Sequence, residues 1–167
     1  MEYLKALAIA EEIKSQMAPF CERIEIAGSI RRGRQCPFCN DIEIVAIRKS
    51  AYLLELSDLI GQWKKIKGDV ACKYTARLHP TGIQIDIFFA TPKNWGSIFL
   101  IRTGSADFSK RIAQAWSKRG YYSNGGVLYR KQISCQGAEL GDPVYIREEK
   151  DLFDLLKIPW VEPELRF

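Results

Sequence analysis

Residues 24–47 read IEIAGSIRRGRQCPFCNDIEIVAI. The opening residues alternate as a strand does, and Gly28-Ser29 makes a tight turn that opens a short helix. A basic loop follows, and a second strand begins at Asp41. Side chains two apart on a strand share a face, so Asp41 and Glu43 project together while Ile42, Ile44 and Ala46 point the other way. Adjacent carboxylates repel one another and lose hydration unless a cation lies between them. A divalent metal answers that need, and Mg²⁺ favours carboxylate oxygens combined with substrate phosphates. A matching anion site lies upstream. The helix start at Gly28-Ser29 offers free N–H groups and a positive dipole end, and Arg31, Arg32 and Arg34 add forked donors beside it.

Downstream, Gly82 introduces IQIDIFFA, in which Ile83, Ile85, Ile87 and Phe89 face one way and Gln84, Asp86 and Phe88 the other. A mid-strand Asp is costly without a cation or hydrogen-bond partner. Asp86 is therefore the natural third carboxylate for the Asp41/Glu43 site.

The remaining elements frame this centre. Tyr3 to Met17 carries Leu4, Leu7, Ala8, Ile13 and Met17 at helical spacing and stops at Pro19. Arg23 to Ala27 is the first strand, Asp41 to Ile47 the second, and Ala51 to Trp63 an amphipathic helix ending near Gly61. Lys64, Lys65 and Lys67 read as a solvated loop, with contact to a phosphate backbone as the alternative; Val70 to Leu78 reads as a strand and Pro92 to Trp95 as a linker. Arg102-Thr-Gly-Ser105 is a second Gly-bearing turn, preceding a helix from Asp107 to Arg119. That helix has Phe108, Ile112, Ala115 and Trp116 inside and Lys110, Arg111, Lys118 and Arg119 outside. Tyr121 to Gln132 reads as a hairpin or edge strand around Gly125-Gly126, and Glu148 to Lys157 as a short acid-led helix. The prolines of the C-terminal stretch forbid further helix.

At 167 residues, with 47% hydrophobic and 27% charged content, the chain suits one soluble domain or two small lobes. A net charge of +5 permits a polyanionic partner. Residues 95–135 carry +6 and residues 136–167 carry −4, which places a basic face in part of the second half. No apolar run reaches the roughly 18 residues of a membrane span, and no signal peptide is legible. Five scattered cysteines fit a reducing interior better than a disulfide framework. Cys36 and Cys39 form a lone CxxC pair, and His79 is the only histidine. Zinc, a regulatory disulfide and inert loop thiols all satisfy the pattern, and inert thiols are the expectation.

Three carboxylates facing a phosphate-binding turn outline a two-metal nucleotidyl-transfer site. The pieces AGSIRRG, NDIEIV, GIQIDIF, RTGSADFSKRIAQAWSKRG and EEKDLFDLLKIPWVEPELR then stand in the order of a known family. The chain resembles the family X DNA polymerases, the polymerase beta-like nucleotidyltransferases, over nearly its whole length. The resemblance implies an α+β fold: a nucleotidyltransferase palm with a mixed sheet over residues 1–94, then a small α/β, thumb-like nucleotide-binding subdomain over residues 95–167. It implies a palm-plus-thumb minimum, without the family's lyase or helix–hairpin–helix domains.

By the same resemblance Asp41, Glu43 and Asp86 hold two Mg²⁺ ions, with Mn²⁺ able to substitute. Gly28, Ser29 and Arg32 take the triphosphate. Arg102, Thr103, Gly104 and Ser105 contact the incoming nucleotide, and Gln84, Lys110 and Arg111 meet DNA. The implied activity is dNTP addition to a primer 3′-OH by a monomer, on primer-template or gapped DNA, in short-gap repair. A template-independent nucleotidyltransferase and a non-catalytic nucleic-acid-binding module are the alternatives. This chain has Glu43 where the family commonly has Asp, and Gln84 where polymerase beta has Arg. Ile101-Arg102 replaces an aromatic pair that helps exclude ribonucleotides. Ala106, Ser109 and Ala113 replace larger residues near the nascent pair, which implies low fidelity.

Overall fold

The computed structural model describes residues 1–33, 35–134 and 137–167. Arg34, expected beside the phosphate turn, and Cys135 lie outside the described residues. The first half is a five-stranded mixed sheet in the order β1-β2-β5-β4-β3. Its strands are β1 (Cys21–Ile26), β2 (Asp41–Arg48), β3 (Lys64–Gly68), β4 (Tyr74–Leu78) and β5 (Gln84–Phe89). β2 and β5 run parallel, and the other pairs are antiparallel. Strand alternation separates two faces. Ile42, Ile44 and Ala46 of β2 join Ile85, Ile87 and Phe89 of β5 beneath α1 (Tyr3–Met17) and α3 (Leu53–Gly61), forming the larger apolar cluster.

The opposite face is covered only in part. Val45, Ile47 and Ala90 pack against Trp95 and Phe99 of α4 (Trp95–Thr103). The other side of α4 enters a further cluster: Leu100 meets Phe108 and Ile112 of α5 (Ala106–Lys118), Leu128 of β7 (Val127–Ser134), and Leu152, Phe153 and Leu156 of α6 (Glu149–Leu156). A helix apolar on both sides is one buried between two layers. β7 lies between β6 (Tyr121–Asn124) and β8 (Gly137–Val144) in a small antiparallel sheet. Asn124 pairs with Val127 across Gly125-Gly126, both at positive φ, as a two-residue hairpin of right-handed twist demands. Asn94 Nδ2 donates to the Gly125 carbonyl at 2.9 Å, tying the turn to the start of α4.

Several expectations need correction. Lys64–Gly68, read as a loop, is an edge strand on β4. The strand read from Val70 begins only at Tyr74. Trp95, read as linker, opens α4 and is fully buried. The C-terminal prolines do not exclude a 3₁₀ turn, which Pro163 begins. The edge strand escapes pattern reading because all of Lys64, Lys65, Ile66 and Lys67 are exposed, leaving no alternation to detect. Among the described residues no helix is long and apolar enough to cross a membrane.

Candidate active site

β2 and β5 lie side by side with Asp41 opposite Gln84 and Glu43 opposite Asp86. Paired residues share a face, so the three carboxylates stand together on the part of the sheet that α4 leaves open. The turn after β1 closes the other side. α2 (Gly28–Arg32) starts at Gly28, whose φ of +62° only glycine adopts without strain, and the Glu43 carboxylate lies directly over its Cα. A pocket of about 330 Å³ is lined by Ser29, Arg32, Cys36, Phe38, Asn40, Asp41 and Glu43. The expected phosphate turn and two of the expected carboxylates thus share one concavity.

Glu43 also opens onto a larger cavity of about 880 Å³, shared with Asp86, Tyr74, Phe88, Arg102 and the Gly125-Gly126 turn. Tyr74 Oη donates to Asp86 Oδ1 at 2.8 Å, and Gln84 Nε2 donates to the same oxygen at 2.9 Å. Phe88 stacks on Tyr74 with ring centroids 4.9 Å apart, and the Arg102 guanidinium lies 3.9 Å from the Phe88 centroid. Sequence reasoning missed Tyr74. Its only signal was an aromatic on the strand neighbouring Asp86, legible once the β4–β5 pairing is known.

Burial, then the Asp41 charge, push the Glu43 carboxyl up to about 7, with Arg102 opposing. Asp41 is also raised, by burial first and the Asp86 charge second. Burial and the bond to Asp86 push the Tyr74 phenol up to about 12. Excess negative charge of this kind is what a divalent cation relieves. An all-oxygen donor set on one face fits Mg²⁺ or Mn²⁺. As the side chains stand, no three His, Cys, Asp or Glu residues among those described converge as a ready-made metal cluster. Glu43 leans on the Gly28 turn, and Asp86 turns one oxygen to Tyr74 and Gln84.

The remaining expected residues make contacts of their own. Arg32 Nη1 donates to the Thr103 carbonyl at 2.7 Å. Thr103 is fully buried, and its hydroxyl accepts from Arg31 at 2.6 Å. Gly104 packs under Phe108, and Ser105 Oγ caps α5 by accepting from the Phe108 N–H at 3.1 Å. None of these three lines either pocket. Lys110 and Arg111 are exposed on α5. Cys39 is buried, whereas Cys36 lines the smaller pocket; both are free thiols.

Comparison with known proteins agrees with this architecture. Residues 98–167 match the family described as DNA polymerase beta thumb. A solved structure of Leishmania infantum polymerase beta, a ternary P/T complex, is similar with a TM-score of 0.78 and 20% identity, over 100% of this chain and 76% of that one. A ternary gap complex of the same protein gives 0.77 and 20%, over 99% and 70%. No curated protein matches. The chain has the α+β fold of polymerase beta, and residues 98–167 match the thumb family.

Proposed function

We propose that this protein is a DNA-directed DNA polymerase of the family X type, filling short gaps. The observation that carries the reading is the joining of Ser29, Arg32, Asp41 and Glu43 around one pocket, with Glu43 in register with Asp86. Residues 1–94 act as the palm and residues 95–167 as the nucleotide-binding subdomain. Asp41, Glu43 and Asp86 would hold two Mg²⁺ or Mn²⁺ ions, which when bound supply Lewis acidity toward the attacking hydroxyl and neutralise the leaving pyrophosphate.

The chain's own residues do the rest. Ser29, the Gly28 turn and Arg32 hold the β- and γ-phosphates. Asp86 accepts the proton of the primer 3′-OH as its oxygen bonds to the α-phosphorus and pyrophosphate departs. With Oδ1 occupied by Tyr74 and Gln84, Oδ2 is the oxygen left for that task. Arg102, on the wall of the larger cavity, meets the sugar and base of the incoming dNTP. Lys110 and Arg111 meet the DNA. Small side chains at Ala106, Ser109 and Ala113 leave the nascent pair weakly policed, so fidelity is low. Four free thiols among the described residues support a reducing compartment.

Primer extension on a gapped duplex with Mg²⁺ and dNTPs tests the reading. Wild type extends the primer by the templated base, and Asp86→Ala loses extension by at least about 10²-fold. Extension that ignores the template would make the protein a template-independent transferase. Extension that survives the substitution would remove Asp86 from the mechanism.

A further inference from the structure

β3 carries three lysines, and its pairing with β4 sorts them onto two faces. Lys64 pairs with Leu78, which pairs with Gln84, which pairs with Asp41. Lys67 pairs with Ala76, which pairs with Asp86, which pairs with Glu43. Side chains directly opposite one another share a face. Both lysines therefore rise from the carboxylate face, in the same transverse rows as the catalytic acids. At about 4.8 Å per strand, Lys67 stands about 10 Å from Asp86.

Lys65 pairs instead with Arg77 on the opposite face, the register shifting by one residue between Lys65 and Lys67. There Asp69 bridges both: Lys65 Nζ lies 2.8 Å from Asp69 Oδ2, and Arg77 Nη2 lies 3.5 Å from Oδ1. Among the described residues neither Lys64 nor Lys67 has a carboxylate partner. The cations facing away from the site share a carboxylate, and those facing it have none.

The shape of the site says what they are for. The cavity is bounded at its far end by α4 and the Gly125-Gly126 turn, and on the β2 side by Glu43, which leans on the Gly28 turn. The small side chain of Ala76 and Leu78 continue the same face outward to the β3 edge. We propose that Lys64 and Lys67 bind the phosphate backbone of the DNA where it leaves the active site across β4 and β3. This rests on the polymerase reading and extends it to a surface outside the nucleotide pocket. Edge-strand lysines also discourage strand-to-strand association. That duty needs charge of either sign and is indifferent to face.

Lys64→Glu/Lys67→Glu separates the two roles, because it keeps the edge charged and repels phosphate. Lys5→Glu/Lys150→Glu changes net charge equally at exposed residues of α1 and α6, and Lys64→Arg/Lys67→Arg keeps the cations. Fluorescence anisotropy on gapped duplex DNA between 50 and 200 mM salt is the readout, with size-exclusion chromatography and thermal melting as checks on each variant. Losing two phosphate contacts lowers the log–log salt slope by about 1.8, so wild type should lose about 12-fold more affinity across that range than the Lys64→Glu/Lys67→Glu variant. The Arg variant and the Lys5→Glu/Lys150→Glu control should keep the wild-type slope. In primer extension the KM for DNA should rise with kcat at saturating DNA unchanged. If the Lys64→Glu/Lys67→Glu variant matches the control, the surface assignment is wrong and the polymerase reading stands. If wild type shows no salt-dependent DNA binding, both fall.

Discussion

A methyl group at position 28 would collide with the Glu43 carboxylate, and its residue would have to hold a φ of +62°. The backbone alone costs about 1–2 kcal/mol for a residue with a Cβ. Gly28→Ala should therefore lower stability in urea by at least that much and displace Glu43, seen as weakened Mn²⁺ binding by electron paramagnetic resonance; unchanged Mn²⁺ affinity would mean that Glu43 is not a ligand. Glu43 itself should make stability depend on pH. Its carboxyl is raised from 4.5 to about 7, chiefly by burial and then by Asp41. Between those values the native state keeps a proton that the unfolded chain has released. Stability conferred by the protonated form is whole below pH 4.5, declines as pH rises toward 7, and levels off above it. With metal chelated, urea unfolding at pH 5 and pH 8 should show this decline in wild type. Glu43→Gln should flatten it and be the more stable of the two at pH 8.

Between elements, charge does as much joining as apolar contact. Glu149 on α6 is buried between Arg31 of α2 and Arg166 near the C-terminus. It accepts from Arg31 Nη1 and Nη2, both at 2.7 Å, and from Arg166 Nη1 at 2.5 Å. A carboxylate so placed cannot be removed without leaving the buried Arg166 and the partly buried Arg31 facing each other. Glu149→Ala should cost about 3–5 kcal/mol in chemical denaturation. The Arg23–Glu148 pair, 37% and 57% exposed, should show a coupling below about 1 kcal/mol in a double-mutant cycle. Equal values for the two would contradict this ranking. The same contrast explains what was legible in the chain. Asp41 and Glu43 could be placed on one face because strand alternation is local and strict, and Asp86 joins them through the cost of a charge in mid-strand. The Arg31 partnership could not, because Glu149 is 118 residues away and ion pairing leaves no periodic trace. Thr103 and Ser105 are expected as nucleotide contacts from the family resemblance alone. Which way a hydroxyl points depends on the packing of α4 and α5, and here it serves Arg31 and the α5 cap.

At the scale of the whole molecule, α4 binds the two halves together. Trp95 and Phe99 complete the apolar layer over Val45, Ile47 and Ala90, although in chain order they follow all five strands of that sheet. Aromatic side chains bury about 150–250 Å² each, which at about 25 cal/mol per Å² makes the two rings worth on the order of 8–12 kcal/mol. That is comparable to the whole stability of an ordinary domain, about 5–15 kcal/mol. A fragment ending at Asn94 therefore lacks the cover its own sheet needs, while one ending at Gly104 retains it. The shorter piece should aggregate or show no cooperative melt. The longer piece should remain soluble and melt cooperatively, at a lower temperature than the full chain because Leu100 loses Phe153 and Leu156. Circular dichroism melts of the two fragments beside the full chain measure this. Cooperative folding of residues 1–94 alone would show that the first sheet does not need the cover of α4.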